Sequence, residues 1–174
     1  NAVHEGKIKA LWIMGTNPVD SMPEADVVRA ALETCPFVVV SDVMQHTDTT
    51  EFAHVLLPSA AWGEKDGTVT NSERRISRQR AFLPLPGEAR ADWWQFAGVA
   101  RRMGFGDAFA WQTPSEIFAE HAALSGKDNA GARDFDISAH GDISWHDYSA
   151  LEPFQWPQPS GGFGGTKRFF GDGK

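Results

Sequence analysis

The sequence predicts an α/β domain with three layers, built on a doubly wound, mostly parallel sheet of the Rossmann-like type. Two observations lead to this fold class. Short apolar runs alternate with longer segments of helical periodicity over the first hundred residues, and one of these runs is β-branched and unbroken. Parallel strands that helices cover on both faces have such continuous apolar sequences.

The strands and the first helix follow from local patterns. Residues 7–14 (KIKALWIM) form an apolar run that is closed by Gly15, which predicts the first strand. Residues 23–34 open with proline and acidic side chains and then repeat apolar residues at helical spacing, which predicts a helix. Residues 37–40 (FVVV) and 54–57 (HVLL) predict the second and third strands.

The remaining chain is predicted to become less regular toward its end. Residues 59–80 are rich in glycine and charge and predict a long ligand-facing loop that runs into an irregular extended segment. Helices are predicted at residues 91–103 and 113–124. We therefore expect an α/β domain at residues 1–124, and at residues 125–174 an irregular, glycine-rich extension and linker toward an absent C-terminal domain.

The composition argues against several classes of function. A net charge of −7 disfavours nucleic acid and acidic membranes as partners, and the apolar runs are too short to span a bilayer. Cys35 is the only cysteine, and the six histidines lack the spacing of zinc ligands. We predict no catalytic residue and no metal ligand in this chain, no nucleic-acid partner and no membrane association.

Three candidate ligand contacts follow the first two predicted strands. In an open α/β sheet the ligand crevice lies at the carboxyl ends of the strands. Asn17 stands in a GTNP segment after the first strand, and Ser41 and Asp42 follow the second. A carboxylate there can accept two parallel hydrogen bonds from the N–H edge of a guanine. The alternatives are an Asx turn at Asn17 and a helix N-cap at Asp42.

Two further candidates lie later in the chain. Lys65 stands between two glycines in a charged loop and is a suitable point charge for a diphosphate, although a solvated surface turn has the same composition. Asp92 can hydrogen-bond a ligand from the edge of its helix, or it can serve only as the helix cap. Four arginines at residues 73–80 favour a polar strand face or a contact to another domain over a nucleic-acid patch.

The order of these motifs resembles a known family. GTNP, VVVSD, HVLLPSAAWGEKDGTVTNSERR and PGEARADWW follow one another as in the molybdopterin oxidoreductases of the dimethyl sulfoxide reductase superfamily, specifically in their third domain. The resemblance covers residues 7–104. RDFDIS at residues 133–138 and LEPFQWP at residues 151–157 are similar to nitrate reductases of the assimilatory type. Periplasmic nitrate reductases and formate dehydrogenases share the first block.

The resemblance implies a cofactor and a parent reaction. The cofactor is bis-molybdopterin guanine dinucleotide (bis-MGD), and nitrate is reduced to nitrite by oxygen-atom transfer to molybdenum, with electrons supplied through an iron–sulfur cluster. Asn17, Ser41, Asp42, Lys65 and Asp92 match positions that contact one dinucleotide, while molybdenum and the cluster are bound by other domains. The chain alone is then inactive. Its partners are the other domains of a cytoplasmic catalytic subunit and an electron-donor protein or domain.

Two alternative functions from other functional classes remain open. A flavodoxin-like electron-transfer or nucleotide-binding module acting on its own would bind a flavin. A structural interaction domain that has lost its ligand contacts would bind no guanine nucleotide, even within the complete subunit. Upstream cluster-binding cysteines and a downstream dinucleotide domain would favour the oxidoreductase over both.

Overall fold

The computed structural model describes residues 1–162, which form two compact units. The first unit combines Asn1–Lys65 with Phe82–Asp107, and the second combines Asp66–Ala81 with the chain from Ala108 onward. This division by contacts differs from the predicted boundary at residue 124. The end of the predicted glycine-rich linker, residues 163–174, lies outside the described residues.

The first unit contains the parallel sheet and its helices. Its elements are β1 (Ala10–Met14), α1 (Pro18–Ser21), α2 (Ala25–Thr34), β2 (Phe37–Asp42), β3 (Val55–Pro58) and α3 (Asp92–Arg102), with single 3₁₀ turns at Thr50–Phe52 and Trp62–Glu64. The three strands are parallel in the order β1-β2-β3, so β2 is the central strand of the described sheet. The ends of β2 and its neighbours thus meet at one edge.

One face of the parallel sheet packs against α2. Val38 and Val40 alternate along β2 and are fully buried. They contact Ile13 of β1 and Leu32 of α2, and the partly buried Val28 lies one helical turn before Leu32. Period-two burial in the strand and i, i+4 burial in the helix therefore build the apolar core that the sequence pattern predicts.

The opposite face of the same sheet is covered by α3. The ring of Trp12 in β1 stacks on Phe96 of α3, with 5.6 Å between the ring centroids. On the neighbouring strand, the hydroxyl group of Ser41 donates a hydrogen bond of 2.7 Å to Gln95 of the same helix. Helices lie on both faces of the sheet, and the predicted three-layer α/β class is confirmed.

The strand boundaries differ from the predicted ones by one to three residues. The backbone N–H groups of Lys7 and Ile8 donate to the carbonyl oxygen of Ala2, and this local turn delays the start of β1 to Ala10. At the other end of the sheet β2 continues to Asp42, two residues past the predicted end. Ladder pairing with β3 extends the strand beyond the apolar run that signals it.

The second unit contains a short antiparallel sheet and two helices. Its elements are β4 (Gly67–Thr70), β5 (Arg75–Gln79), α4 (Pro114–Gly126), a 3₁₀ turn at Ser138–His140, α5 (Trp145–Ser149) and β6 (Phe154–Gln155). The strand order is β4-β5-β6. A second, antiparallel sheet was not expected from the sequence.

The prediction of an irregular segment at residues 59–80 is wrong for its second half, where β4 and β5 pair as a hairpin. The turn between them is held by Asn71, whose side-chain oxygen accepts hydrogen bonds from the backbone N–H groups of Glu73 and Arg75. Each strand has only four or five residues and polar side chains predominate, so the segment lacks the apolar alternation that signals a strand.

The residues after 125 have little regular structure, as predicted, but they contribute to a packed core. The hydrophobic core of the second unit consists of the buried side chains of Ile76, Phe118, Ala122, Ile137, Tyr148 and Phe154. Tyr148 and Ile137 are fully buried although they lie outside any periodic pattern. Contacts with α4 and β5, which are distant in sequence, bury them, and local periodicity does not report such contacts.

The close approach of α4 to the Ser138–His140 turn makes Gly126 a test of this packing. A Cβ atom added at Gly126 would lie 2.5 Å from the Cβ of Ser138. We expect Gly126→Ala to lower the free energy of unfolding by about 1–3 kcal/mol through overpacking. Urea-induced unfolding measures this change.

Gly98 in α3 is the matched helical control. A Cβ atom there would meet only the end of the Arg102 side chain, at 3.7 Å. Gly98→Ala should stabilise its helix by about 0.5–1 kcal/mol because alanine has the higher helix propensity. If both substitutions have the same effect, the close packing of α4 on the 3₁₀ turn is wrong.

Candidate cofactor-binding site

A cavity of about 430 Å³ opens at the carboxyl ends of β1 and β2 in the first unit. Its lining residues are Gly15, Thr16, Asn17, Ser41, Asp42, Val43, Met44, Thr47, Ser59, Lys65 and Asp92. All five residues that the sequence singled out as candidate ligand contacts are therefore brought together here. They come from four separate parts of the chain. Asn17, Ser41 and Asp42 meet because parallel strands end at the same edge, while Lys65 follows the Trp62–Glu64 turn and Asp92 begins α3.

Asn17 precedes α1 but does not cap it with its side chain. Its side-chain oxygen accepts hydrogen bonds from the hydroxyl group of Thr49 at 2.6 Å and from the backbone N–H of Thr49 at 3.2 Å. Thr49 is fully buried and also binds the backbone N–H of Val19. Asn17 thus ties two loops of the cavity wall together instead of forming an Asx turn.

Ser41 lies in the wall of the cavity with its hydroxyl group already engaged. The hydroxyl accepts a hydrogen bond from Trp12 Nε1 at 2.8 Å and donates one to Gln95 Oε1 at 2.7 Å. The residue is fully buried. Its side chain therefore holds the sheet against α3, and its hydroxyl group is already used as both donor and acceptor.

Asp42 ends β2 and projects a partly exposed carboxylate into the cavity region. Its Oδ1 accepts a hydrogen bond of 2.8 Å from the backbone N–H of Met44. This is an Asx-type turn and not the helix N-cap that the sequence left open, because no helix follows. Among residues 1–162 the second oxygen, Oδ2, has no hydrogen-bond partner, so Asp42 retains acceptor capacity for a ligand.

Lys65 and Asp92 form an ion pair across the cavity wall. Lys65 Nζ lies 3.5 Å from Asp92 Oδ2, and each side chain is about one third exposed (33% and 35%). Lys65 follows the Trp62–Glu64 turn, where the Glu64 side chain accepts a hydrogen bond from the backbone N–H of Ala61, and Asp92 is the first residue of α3. Such long, partly solvated pairs contribute little stability, so Lys65 can exchange its partner for an anion.

The sequence did not indicate every polar residue of this region, and Ser59 and Gln95 are two of those not predicted. Ser59 lines the cavity directly after β3, and Gln95 is buried behind it at 7% exposure. The Gln95 amide donates a hydrogen bond of 2.9 Å to the carbonyl oxygen of Pro58. The available signal was a single uncharged polar side chain within the apolar run of α3 (WWQFAGVA).

The cavity offers groups for binding and not a set of metal ligands. It combines a carboxylate, an amide, an ammonium group and the Gly15 backbone, where φ is +63° and an added Cβ atom would meet nothing within 4 Å. Among residues 1–162, no three or more His, Cys, Asp or Glu side chains are grouped so that they could hold a metal ion.

The helices of residues 1–162 include none with the length and apolar character that a membrane span needs.

Comparison with known proteins gives the family. The family model described as Molybdopterin oxidoreductase matches residues 1–102. A nitrate reductase of Klebsiella oxytoca is 62% identical over 156 residues, which is 90% of this chain and 18% of that protein. A nitrate reductase of Shewanella frigidimarina is 50% identical over 159 residues, which is 90% of this chain and 17% of that protein. The F420-dependent formate dehydrogenase subunit alpha of Methanocaldococcus jannaschii is 44% identical over 113 residues, which is 65% of this chain and 17% of that protein.

A solved structure shares the fold. Acetylene hydratase from Pelobacter acetylenicus matches with a TM-score of 0.67 at 19% sequence identity, over 88% of this chain and 20% of that chain. The chain covers only 18% and 17% of the length of the two nitrate reductases named above. Because the family model covers more than half of the chain and the motifs at the strand ends fall within it, the chain belongs to the molybdopterin oxidoreductase family.

Proposed function

We propose that this chain is a cofactor-binding domain of a nitrate reductase and that its cavity holds the guanine nucleotide end of one dinucleotide of bis-MGD. Membership of the family implies a molybdenum–pterin cofactor. The observation that carries the finer proposal is that Asn17, Ser41, Asp42, Lys65 and Asp92 line one cavity at the carboxyl edge of the sheet.

The residues of the cavity fit a nucleotide with a diphosphate. Within residues 1–162 one oxygen of Asp42 has no hydrogen-bond partner, and the carboxylate can accept hydrogen bonds from the N1–H and N2–H₂ groups of guanine. Lys65 can leave its long contact with Asp92 and bind a phosphate oxygen, which frees Asp92 to accept a hydrogen bond from the ligand. Gly15 leaves room for the ligand to approach the backbone.

In this proposal the chain's own residues bind and orient, and they take no part in a chemical step. When bound, the cofactor supplies the oxygen-atom transfer at molybdenum that converts nitrate to nitrite. Asp42 fixes the base, Lys65 balances phosphate charge, and Asn17 and Ser41 hold the walls through Thr49 and Gln95. The iron–sulfur cluster belongs, in this proposal, to other domains of the same cytoplasmic, assimilatory-type subunit, and a separate donor supplies the electrons.

Nitrate is favoured over formate as the substrate of the parent enzyme. The two nitrate reductases match 90% of the chain at 62% and 50% identity, whereas the formate dehydrogenase subunit matches 65% of it at 44%. Both the share of the chain that is matched and the identity therefore support a nitrate reductase as the parent enzyme.

Lys65→Ala in the complete subunit tests the proposed site. We expect an affinity for the cofactor about 5- to 30-fold weaker, since one charge-assisted phosphate contact of about 1–2 kcal/mol is lost. The measurements are molybdenum content, guanine nucleotide content and nitrate reduction. Lys127→Ala, at an exposed lysine far along the chain, is the control. Guanine nucleotide content unchanged by Lys65→Ala at limiting cofactor would contradict the placement of the phosphate.

A further inference from the structure

Gln95 is the polar centre of the wall behind the cavity. Its Oε1 accepts a hydrogen bond of 2.7 Å from the hydroxyl group of Ser41, which itself accepts one from Trp12 Nε1. Its Nε2 donates to the carbonyl oxygen of Pro58 at 2.9 Å, with longer contacts to Arg90 O at 3.3 Å and Ser59 Oγ at 3.5 Å. One buried amide therefore connects the last residues of β2 and β3 to α3.

The points that this amide connects are next to the groups that line the cavity. Asp42 follows Ser41 directly, Ser59 follows Pro58 directly, and Asp92 lies one helical turn before Gln95 on α3. Because the side chain is only 7% exposed, water cannot replace a lost partner without rearrangement. A change at Gln95 thus alters the spacing of three parts of the cavity wall at once.

We infer that Gln95 is a positioning residue that sets the spacing of the guanine nucleotide site without touching the ligand. The inference rests on the proposed function. An amide is required because the site needs an acceptor for Ser41 and a donor for Pro58 on one planar group. A carboxylate would keep the acceptor but place an oxygen against the Pro58 carbonyl, and leucine would supply neither group.

The test compares Gln95→Glu and Gln95→Leu with the wild type in the complete subunit prepared without cofactor. Guanosine 5′-diphosphate is the probe, titrated by calorimetry, and thermal unfolding is recorded in parallel. Gln112→Leu, at an exposed glutamine, is the matched residue control. Leu32→Ala is the stability control, because Leu32 is buried in the core between α2 and the sheet, on the face opposite α3.

We expect both Gln95 variants to bind the diphosphate about tenfold more weakly at pH 8, because a buried partner is left unsatisfied. A protonated carboxyl group has an O–H donor, and burial raises the pKa of such a group, so Gln95→Glu should approach wild-type affinity near pH 5.5. Gln95→Leu should not recover. Asp42, Lys65 and Asp92, the charged groups of the cavity, are present in every variant. Dividing the affinity of each variant by that of the wild type at the same pH therefore removes their contribution.

Leu32→Ala should lower the unfolding temperature at least as much as Gln95→Leu while its affinity stays within about twofold of the wild type. If Leu32→Ala weakens binding as much as Gln95→Leu, or if the Gln95 variants bind like the wild type, the positioning role is wrong. If the wild type does not bind guanosine diphosphate, the proposed function fails, and this inference fails with it. The failures are thus distinguishable.

Discussion

Asp42→Asn in the complete subunit is expected to weaken cofactor binding on the order of 30- to 1000-fold, the largest effect predicted for any cavity residue. Oδ1 accepts the hydrogen bond from Met44, and asparagine keeps this acceptor, so the turn after β2 should persist. The group that changes is Oδ2, where an NH₂ donor would face the N–H donors of guanine. Loss of a charged hydrogen bond with one donor left unpaired costs about 2–4 kcal/mol.

The measurement is guanine nucleotide and molybdenum content of the purified subunit at limiting cofactor, together with its nitrate-reducing activity. Asp42→Glu keeps the charge but displaces it by one methylene group, and it should retain part of the affinity. Asp134→Asn makes the same chemical change at an exposed aspartate in the second unit and should have no effect. A folded Asp42→Asn protein with wild-type cofactor content would show that Asp42 only closes its turn.

Arg78→Met is expected to destabilise the second unit by about 2–4 kcal/mol, because the substitution removes the counter-charge of the partly exposed Asp66 (27%) and the donor of every group that the buried guanidinium binds. The Arg78 side chain is 3% exposed, and its Nη2 donates to Asp66 Oδ2 at 3.0 Å. Its Nε donates to the carbonyl oxygen of Tyr148 at 2.9 Å, and the guanidinium group lies 4.0 Å from the centroid of the Tyr148 ring. The Asp66 carboxylate and the carbonyl oxygens of Gly67, Gln79 and Tyr148 would lose this donor together.

Arg75→Met is the matched control for this prediction. Arg75 lies on the same strand, is 42% exposed and contacts Glu73 only at 3.7 Å, so the change should cost no more than about 0.5 kcal/mol. Urea-induced unfolding compares the two variants. Asp66→Asn completes a double-mutant cycle. Asp66 Oδ1 lies 2.9 Å from Arg78 Nη1 but forms no well-directed hydrogen bond, so the cycle reports mainly charge and the Oδ2 contact. Equal losses for both arginines would refute the burial of Arg78.

The contacts of Arg78 also explain the arginine run that the sequence analysis left open. Arg80 donates to the carbonyl oxygen of Ser149, and the Arg74 guanidinium lies 5.5 Å from the centroid of the Trp156 ring. These side chains are used within the second unit, where β5 meets the C-terminal residues. These contacts agree with the expected polar strand face.

Sequence patterns alone determined the parallel sheet and the edge at which polar groups converge. Val38 and Val40 belong to an apolar run that has to be buried on both faces, and such a run specifies a central parallel strand. Once the strands are placed, topology brings Asn17, Asp42 and Lys65 to one edge, and the structure finds them in one cavity. Their binding role stays a prediction until the cofactor measurements are made.

Only the tertiary structure decided which polar groups are free and which are engaged. The hydroxyl group of Ser41 meets an amide 54 residues later in the chain, and the Asn17 side chain meets Thr49, 32 residues later. Burial of Tyr148 likewise depends on α4 and β5. Periodicity reports which face of an element avoids water, but the partner of a buried hydrogen bond is set by packing between elements that are distant in sequence. The sequence could therefore locate the edge of the site, whereas the commitment of Ser41 to Gln95 became visible only when the sheet and α3 were in contact.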